Sequence, residues 1–370
     1  MAKGTGKDVP AIMSERPRQR PAQTLRSVDA LVAAGLVPAS RRSALDAVAK
    51  RYTVALTPDV VAQMDPSDPT DPIARQYVPD EAELRTTPDE RSDPIGDDAH
   101  SPVKGVVHRY PDRVLLKPIL VCPVYCRFCF RREVVGHGKS LSEAEIEAAL
   151  DYVRAHPEIY EVILTGGDPL MLAPRRLASL IRAIEAIPHV SVIRVHSRVP
   201  VADPARISPA LVKALAAKKA LYLAIHCNHP RELGEAAKAA CLKLGKAGIA
   251  LFGQTVLLKG INDQAETLDG LFRAMLAARI KPYYLHQADL APGTSHFRTT
   301  IEEGQALMRA LRGRLTGLAL PTYVLDIPDG YGKVPVGPEY LSSGPGGPKE
   351  LRDPRGEIHP YPPPKPYVAR

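Results

Sequence analysis

Between residues 114 and 286, apolar runs of strand length alternate with amphipathic runs of helix length. No other feature constrains the fold as tightly. The strand-like runs are VLLKPILV (114–121), EVILT (161–165), VSVIRVH (190–196), ALYLAIH (220–226), IALFGQTV (249–256) and the more polar KPYYLH (281–286). Between them lie LSEAEIEAALDYVRAH, PRRLASLIRAIEAI, SPALVKALAAKK, ELGEAAKAACLKLGKAG and QAETLDGLFRAMLAARI, with the spacing of helices that bury one face. Ser142 followed by Glu145 is a capping-box pattern at the start of the first. Strands joined through helices in this way run parallel, with right-handed crossovers. A repeat of roughly 30 residues closes into a full or partial barrel, or winds an open sheet. In either case reactive residues belong at the C-terminal ends of the strands.

Polar residues do gather there. The first run leads into Cys122, Cys126 and Cys129, and the second into TGGDP (165–169). The third ends in His196, Ser197 and Arg198, and the fourth in HCNHP (226–230). The fifth carries Gln254 and the sixth leads to Asp289. This is the pattern of an enzyme.

The flanks read differently. Residues 1–24 form a basic tail expected to be flexible, and 25–110 a helical, wrapping extension with a Pro- and Asp-rich stretch near residues 65–100. Residues 111–315 hold the alternating core, 316–352 a separate segment, and 353–370 a proline-rich tail expected to be extended. No run of 18 uncharged apolar residues occurs and the N-terminus lacks an apolar leader, so a cytoplasmic enzyme is expected. The net charge of +8 permits anionic partners, but with 5 Phe and no Trp there are no rows of platforms for stacking bases.

Three of the five cysteines fall within eight residues, in VCPVYCRFCFRRE (121–133), beside Arg127, Arg131 and Arg132. An odd, clustered set suits metal or redox chemistry in a reducing compartment better than a disulfide framework. Three readings stand on the residues alone. One is a zinc site with His137 as fourth ligand. Another is a four-iron cluster held by three thiolates, with one iron open to substrate. The third is a group of buried thiols.

C-x3-C-x2-C after the first strand of such a repeat resembles the motif of radical S-adenosylmethionine enzymes, and TGGDP resembles their glycine-rich stretch. Longer stretches are similar to lysine 2,3-aminomutases: HSPVKGVVHRYPDRVLL, YCRFCFRR, SRVPV, HCNHPREL, GQTVLLKGIND, PYYLHQADLAPGTSHFRT and YVLDIPDGYGKVPV, spanning roughly residues 70 to 340. The resemblance implies a partial (β/α)6 radical barrel, with a C-terminal segment carrying a cofactor lysine. It implies a [4Fe-4S] cluster on Cys122, Cys126 and Cys129. It implies S-adenosylmethionine against Gly166, Gly167, Asp168, His226 and Gln254. It also implies pyridoxal 5′-phosphate as a Schiff base on Lys333, its phosphate on Arg113 with Arg109 and Tyr110 nearby. Arg131 matches the arginine that grips the substrate carboxylate, and Asp289 and Asp326 match the pair that holds the ε-ammonium of lysine. The implied reaction moves the amino group of L-lysine from C2 to C3 and needs a reducing electron donor. Asp329 and Tyr331 interrupt the glycine run usual before the lysine.

No cysteine follows Cys241, so the C-terminal zinc cysteines of the clostridial-type enzymes have no counterpart, although a homo-oligomer is expected. A shorter relative makes β-lysine for elongation factor P, a second fate for the same chemistry. A radical enzyme acting on RNA, or a zinc-binding nucleic-acid module, would account for the cysteines but not for Lys333, Asp289 and Asp326 together. Cys227 and Cys241 are expected to be packing residues.

Overall fold

The computed structural model describes residues 21–138, 140–343 and 349–362, so most of the basic tail and the end of the proline-rich one lie outside the described residues. Nine strands form one sheet in chain order. They are β1 (Val106–Tyr110), β2 (Arg113–Ile119), β3 (Glu161–Gly166), β4 (Val192–Ser197), β5 (Ala220–His226), β6 (Ala250–Val256), β7 (Ile280–His286), β8 (Thr322–Ile327) and β9 (Gly332–Pro335). The six expected strands correspond to β2–β7. β8 continues the parallel series, while β1 and β9 pair antiparallel at the two edges. The result is a curled, nearly closed α/β barrel whose two edges meet: the Lys333 N–H on β9 donates to Tyr110 Oη on β1 at 2.6 Å.

Alternation along each strand sorts its side chains. Val162 and Leu164, Ile193 and Val195, and Leu223 and Ile225 face outward into a core shared with Leu150, Leu177, Ile181, Leu268 and Phe272 on the surrounding helices, all buried. The intervening residues, Glu161, Ile163 and Thr165, Arg194 and His196, and Val324 and Asp326, line the lumen. Outward positions are apolar because helices cover them; inward positions can be polar because they face a cavity. Ser142 caps the helix Glu143–Ala155 through the expected capping box with Glu145.

The N-terminal extension builds a second core from Leu31, Leu45, Leu56, Val60, Ile73 and Tyr77, which also takes in Val124 of the cysteine loop. The Pro- and Asp-rich stretch is an ordered wrap, because its carboxylates replace missing backbone partners. Asp71 Oδ1 accepts the N–H groups of Ile73 and Ala74 at 2.9 and 2.7 Å, and Asp68 Oδ1 that of Thr70 at 2.7 Å. Beyond the barrel, β10 (Leu341–Ser343), β11 (Lys349–Arg352) and β12 (Ile358–Tyr361) form a small antiparallel sheet, so part of the proline-rich tail is a strand. Among the described residues no helix is long and apolar enough to cross a membrane.

Candidate active site

A cavity of about 690 Å³ occupies the lumen and opens at the C-terminal strand ends. Every site residue expected from the sequence lines it: Cys122, Cys126, Cys129, Arg113, Arg131, Gly166, Gly167, Asp168, His226, Gln254, Asp289, Asp326 and Lys333. His137 does not; it is exposed, which removes the fourth ligand of the zinc reading. Among the described residues, the three half-buried free thiols are not gathered within 4.8 Å of one another, as ligands of one ion would be. Burial raises all three thiols, Cys126 to about 11, against the opposing charge of Arg198 and its neighbours. They are therefore neutral until a metal displaces their protons.

Two arginines of the cysteine loop are anchors. Arg127 turns away from the cavity and binds Glu83 through Nε (3.0 Å to both oxygens) and an η-nitrogen (2.6 Å), and it also donates to the Thr53 carbonyl at 3.0 Å. Arg132 reaches the same carboxylate and the Arg127 carbonyl, the latter at 2.8 Å. Glu83 and both guanidinium groups are buried, so one carboxylate from the wrap ties down the stretch of the cysteine loop from Arg127 to Arg132. Arg131 points the other way and pairs with Asp97 at 2.9 Å. Asp97 also receives Arg109 at 3.2 Å and lies 3.8 Å from Lys117.

After β3, Gly166 has φ +103°, and a Cβ on Gly167 would lie 2.6 Å from the Val121 carbonyl oxygen. These glycines are required by the backbone leading into the cysteine loop as well as by any ligand; the Gly167 N–H donates to the Ile119 carbonyl at 2.7 Å. Asp168 is committed to the protein. It accepts from Ser197 Oγ at 2.8 Å and from the N–H groups of Arg198 and Val199 at 2.7 and 3.1 Å, joining the ends of β3 and β4. His226 and Gln254 are register partners on β5 and β6. Burial, then the charge of Arg198, lowers the His226 imidazole to about 3, so it is neutral.

Lys333 follows from a hairpin. β8 and β9 pair antiparallel with Asp326 opposite Lys333, and the side chains form an ion pair across the strands. The turn between them, Pro328–Tyr331, is tight because Asp329 takes φ +63° and Gly330 φ +86°. Asp329 therefore performs the left-handed turn that a glycine would, and pairs with Arg91 at 2.9 Å. Gly96 packs on that turn, where a Cβ would lie 2.6 Å from the Asp329 carbonyl carbon. Arg113 stacks 3.7 Å above the Tyr110 ring beside the same hairpin.

Burial pushes the Asp326 carboxyl up, but contact with His286 and the charge of Lys333 outweigh it and hold the group well below the carboxylate range. Asp289 goes the other way: burial, then the like charge of Asp326, raises it to about 7 against the pull of Lys333 and Arg131.

Three groups that organise the site, of which His286 lines the cavity, were not found from sequence. Glu83 and Asp97 sit in the wrap, where nothing local distinguishes them from surface acids. His286 ends the sixth expected strand, the position that drew attention to His196 and His226; only the polarity of KPYYLH obscured it.

Residues 116–271 match the Radical SAM superfamily, and residues 308–370, which include the Lys333 hairpin, match the family described as lysine-2,3-aminomutase. The chain is 41% identical over 295 residues to the L-lysine 2,3-aminomutase of Clostridium subterminale, covering 80% of this chain and 71% of that one. To the L-lysine 2,3-aminomutase of Acetoanaerobium sticklandii it is 41% identical over 316 residues, 85% and 76% of the two chains. To the glutamate 2,3-aminomutase of Clostridioides difficile it is 37% identical over 297 residues, 80% and 70%. With the barrel, the three-cysteine loop and this similarity together, the chain belongs to the lysine 2,3-aminomutase family of radical S-adenosylmethionine isomerases.

Proposed function

We propose that the protein converts L-lysine to β-lysine by 2,3-amino migration, with a [4Fe-4S] cluster on Cys122, Cys126 and Cys129 and pyridoxal phosphate on Lys333. The observation that carries this is the convergence of Lys333, Asp289 and Asp326 on the cavity that the three thiols line. When bound, the cluster with S-adenosylmethionine supplies a carbon radical able to take a hydrogen from an unactivated C–H bond, and pyridoxal phosphate supplies a π system that spreads the unpaired electron. The residues present fit these groups: free thiols, glycines that leave room, and a lysine in a cavity large enough for cofactor and substrate.

The chain binds, orients and excludes water. Gly166, Gly167, His226 and Gln254 take S-adenosylmethionine, and Asp168 holds the two loops that present them. Arg113 receives the cofactor phosphate, its plane already fixed on Tyr110. Arg131 exchanges Asp97 for the substrate carboxylate, which its planar guanidinium can grip with two bonds. Asp326 exchanges Lys333 for the substrate ε-ammonium and Asp289 adds a second carboxylate, a pair that selects a cation over glutamate. Leu115, Ile163, Phe128 and Val256 give the cavity apolar walls.

The test is an anaerobic assay with lysine, arginine and glutamate. Lysine is expected to react, and Asp289→Ala and Asp326→Ala each to lower kcat/KM about 30-fold or more, the loss of one partner of a buried charged pair. Iron and sulfide content stay unchanged. Unaltered kinetics in both variants would remove the ε-ammonium assignment. The site is the same whether β-lysine is released or transferred to elongation factor P, and adding that factor to the assay separates the fates.

A further inference from the structure

His286 stands where a proton must move. Its Nδ1 lies 3.2 Å from Lys333 Nζ. An ammonium donates and cannot accept, so Nδ1 is the acceptor and the neutral ring carries its proton on Nε2. Nε2 is buried with no hydrogen-bond partner among the described residues. The other group on Lys333 is Asp326, whose Oδ2 lies 3.8 Å from His286 Nδ1, beyond hydrogen-bond reach. An ammonium paired with a carboxylate, as Lys333 is with Asp326, has no lone pair and cannot attack a carbonyl.

We propose that His286 is the base that takes the proton from Lys333 when the lysine joins its cofactor, and the acid that returns it. This rests on the assignment of Lys333 as the pyridoxal phosphate lysine. The step balances. An Nζ–H bond breaks and its proton passes to Nδ1. The freed lone pair forms the carbon–nitrogen bond to the cofactor aldehyde. In the adduct the oxygen takes a second proton from the same nitrogen, and with the first returned by His286 it leaves as water, so the product is the protonated imine and His286 is neutral before and after. Of the two neighbours, His286 is the better base: its imidazole lies at about 4, lowered by burial and then by the charge of Lys333, whereas the Asp326 carboxyl lies lower still. Part of the depression disappears as the proton leaves, because the Lys333 charge leaves with it. Other titratable groups that face the imidazole are His226 on β5 and His196 on β4, and the phenol of Tyr284 on its own strand, whose ring centroid lies 5.5 Å away.

The test uses the full-length holoenzyme without S-adenosylmethionine, so that no radical step runs. Pyridoxal phosphate is removed and added back, and the growth of the imine absorbance is followed by stopped flow from pH 7 to 10. His286→Asn, which keeps a polar group without a base, and His286→Phe are expected to slow the growth about 100-fold at neutral pH. The deficit should shrink as pH rises, because hydroxide then deprotonates Lys333 directly. A deficit equal at all pH values would mean that His286 only shapes the cavity, and would overturn the proposal, as would no deficit. If Lys333→Ala forms the same absorbance as the wild type, the cofactor assignment itself fails, and the proposal with it.

Discussion

The two sides of the cavity hold their charges in opposite ways. On the cysteine side, Arg127 and Arg132 share the buried carboxylate of Glu83, and one further nitrogen of each is bound to backbone carbonyls. On the lysine side, Lys333 has Asp326 and His286, and Asp289 sits nearby with a raised carboxyl. The first arrangement is a buried salt bridge that fixes the loop carrying the three thiols. The second is made of provisional pairs that a cofactor and a cationic substrate would replace. Arg131 belongs with the second group although it lies in the first loop, because Asp97 occupies the guanidinium that a carboxylate ligand would take.

This contrast breaks most sharply at Glu83. Glu83→Ala leaves two buried guanidinium groups without their counterion, a loss of about 3–5 kcal/mol. Urea unfolding should show that loss, together with a fall in bound iron and sulfide. A variant as stable as the wild type and fully loaded with iron would mean that the cysteine loop is held by other contacts.

On the lysine side the expected effect is a pH dependence. Asp289 is neutral below about 7 and charged above it. A cation is held by the charged form, so KM for lysine should rise about tenfold for each unit by which pH is lowered below about 7, where the group is mostly protonated. Asp289→Asn should flatten that limb. The linked stability effect has the opposite sense. A carboxyl raised in the folded protein is more readily protonated there than in the unfolded chain, so its contribution to stability declines as pH rises from about 4 to 7. A KM independent of pH between 6 and 8 would place the ε-ammonium elsewhere.

The smallest effect belongs to the hairpin turn. Asp329→Gly relieves a left-handed residue but frees the unfolded chain and removes an exposed ion pair with Arg91. These contributions oppose one another, and the net change should be within about 1 kcal/mol. A larger loss in thermal unfolding would show that Arg91 fixes the turn beneath Lys333.

Much of the cysteine side was legible in the sequence because its chemistry is local: three thiols and their arginines lie within one short loop. The six central strands were legible for a similar reason, each being an apolar run followed by a helix. The edges were not. VVHRY, which pairs back on the expected RVLLKPI across a Pro-Asp turn, and the hairpin TYVLDI-PDGY-GKVP have half-polar strands, so periodicity gave no warning of them. The partners that organise the site were hidden by distance along the chain. Glu83 meets Arg127 across 44 residues, Asp97 meets Arg131 across 34, and His286 meets Lys333 across 47.

The bridge from the Lys333 amide to the Tyr110 hydroxyl has a mechanical consequence. A cylinder seamed along one line is stiff around the rest of its wall and yields along that line. Here the seam runs through the residue whose nitrogen projects inward, so parting the wall and shifting that nitrogen are the same displacement. Deuterium uptake at this single amide therefore gauges how far the Lys333 amine can wander.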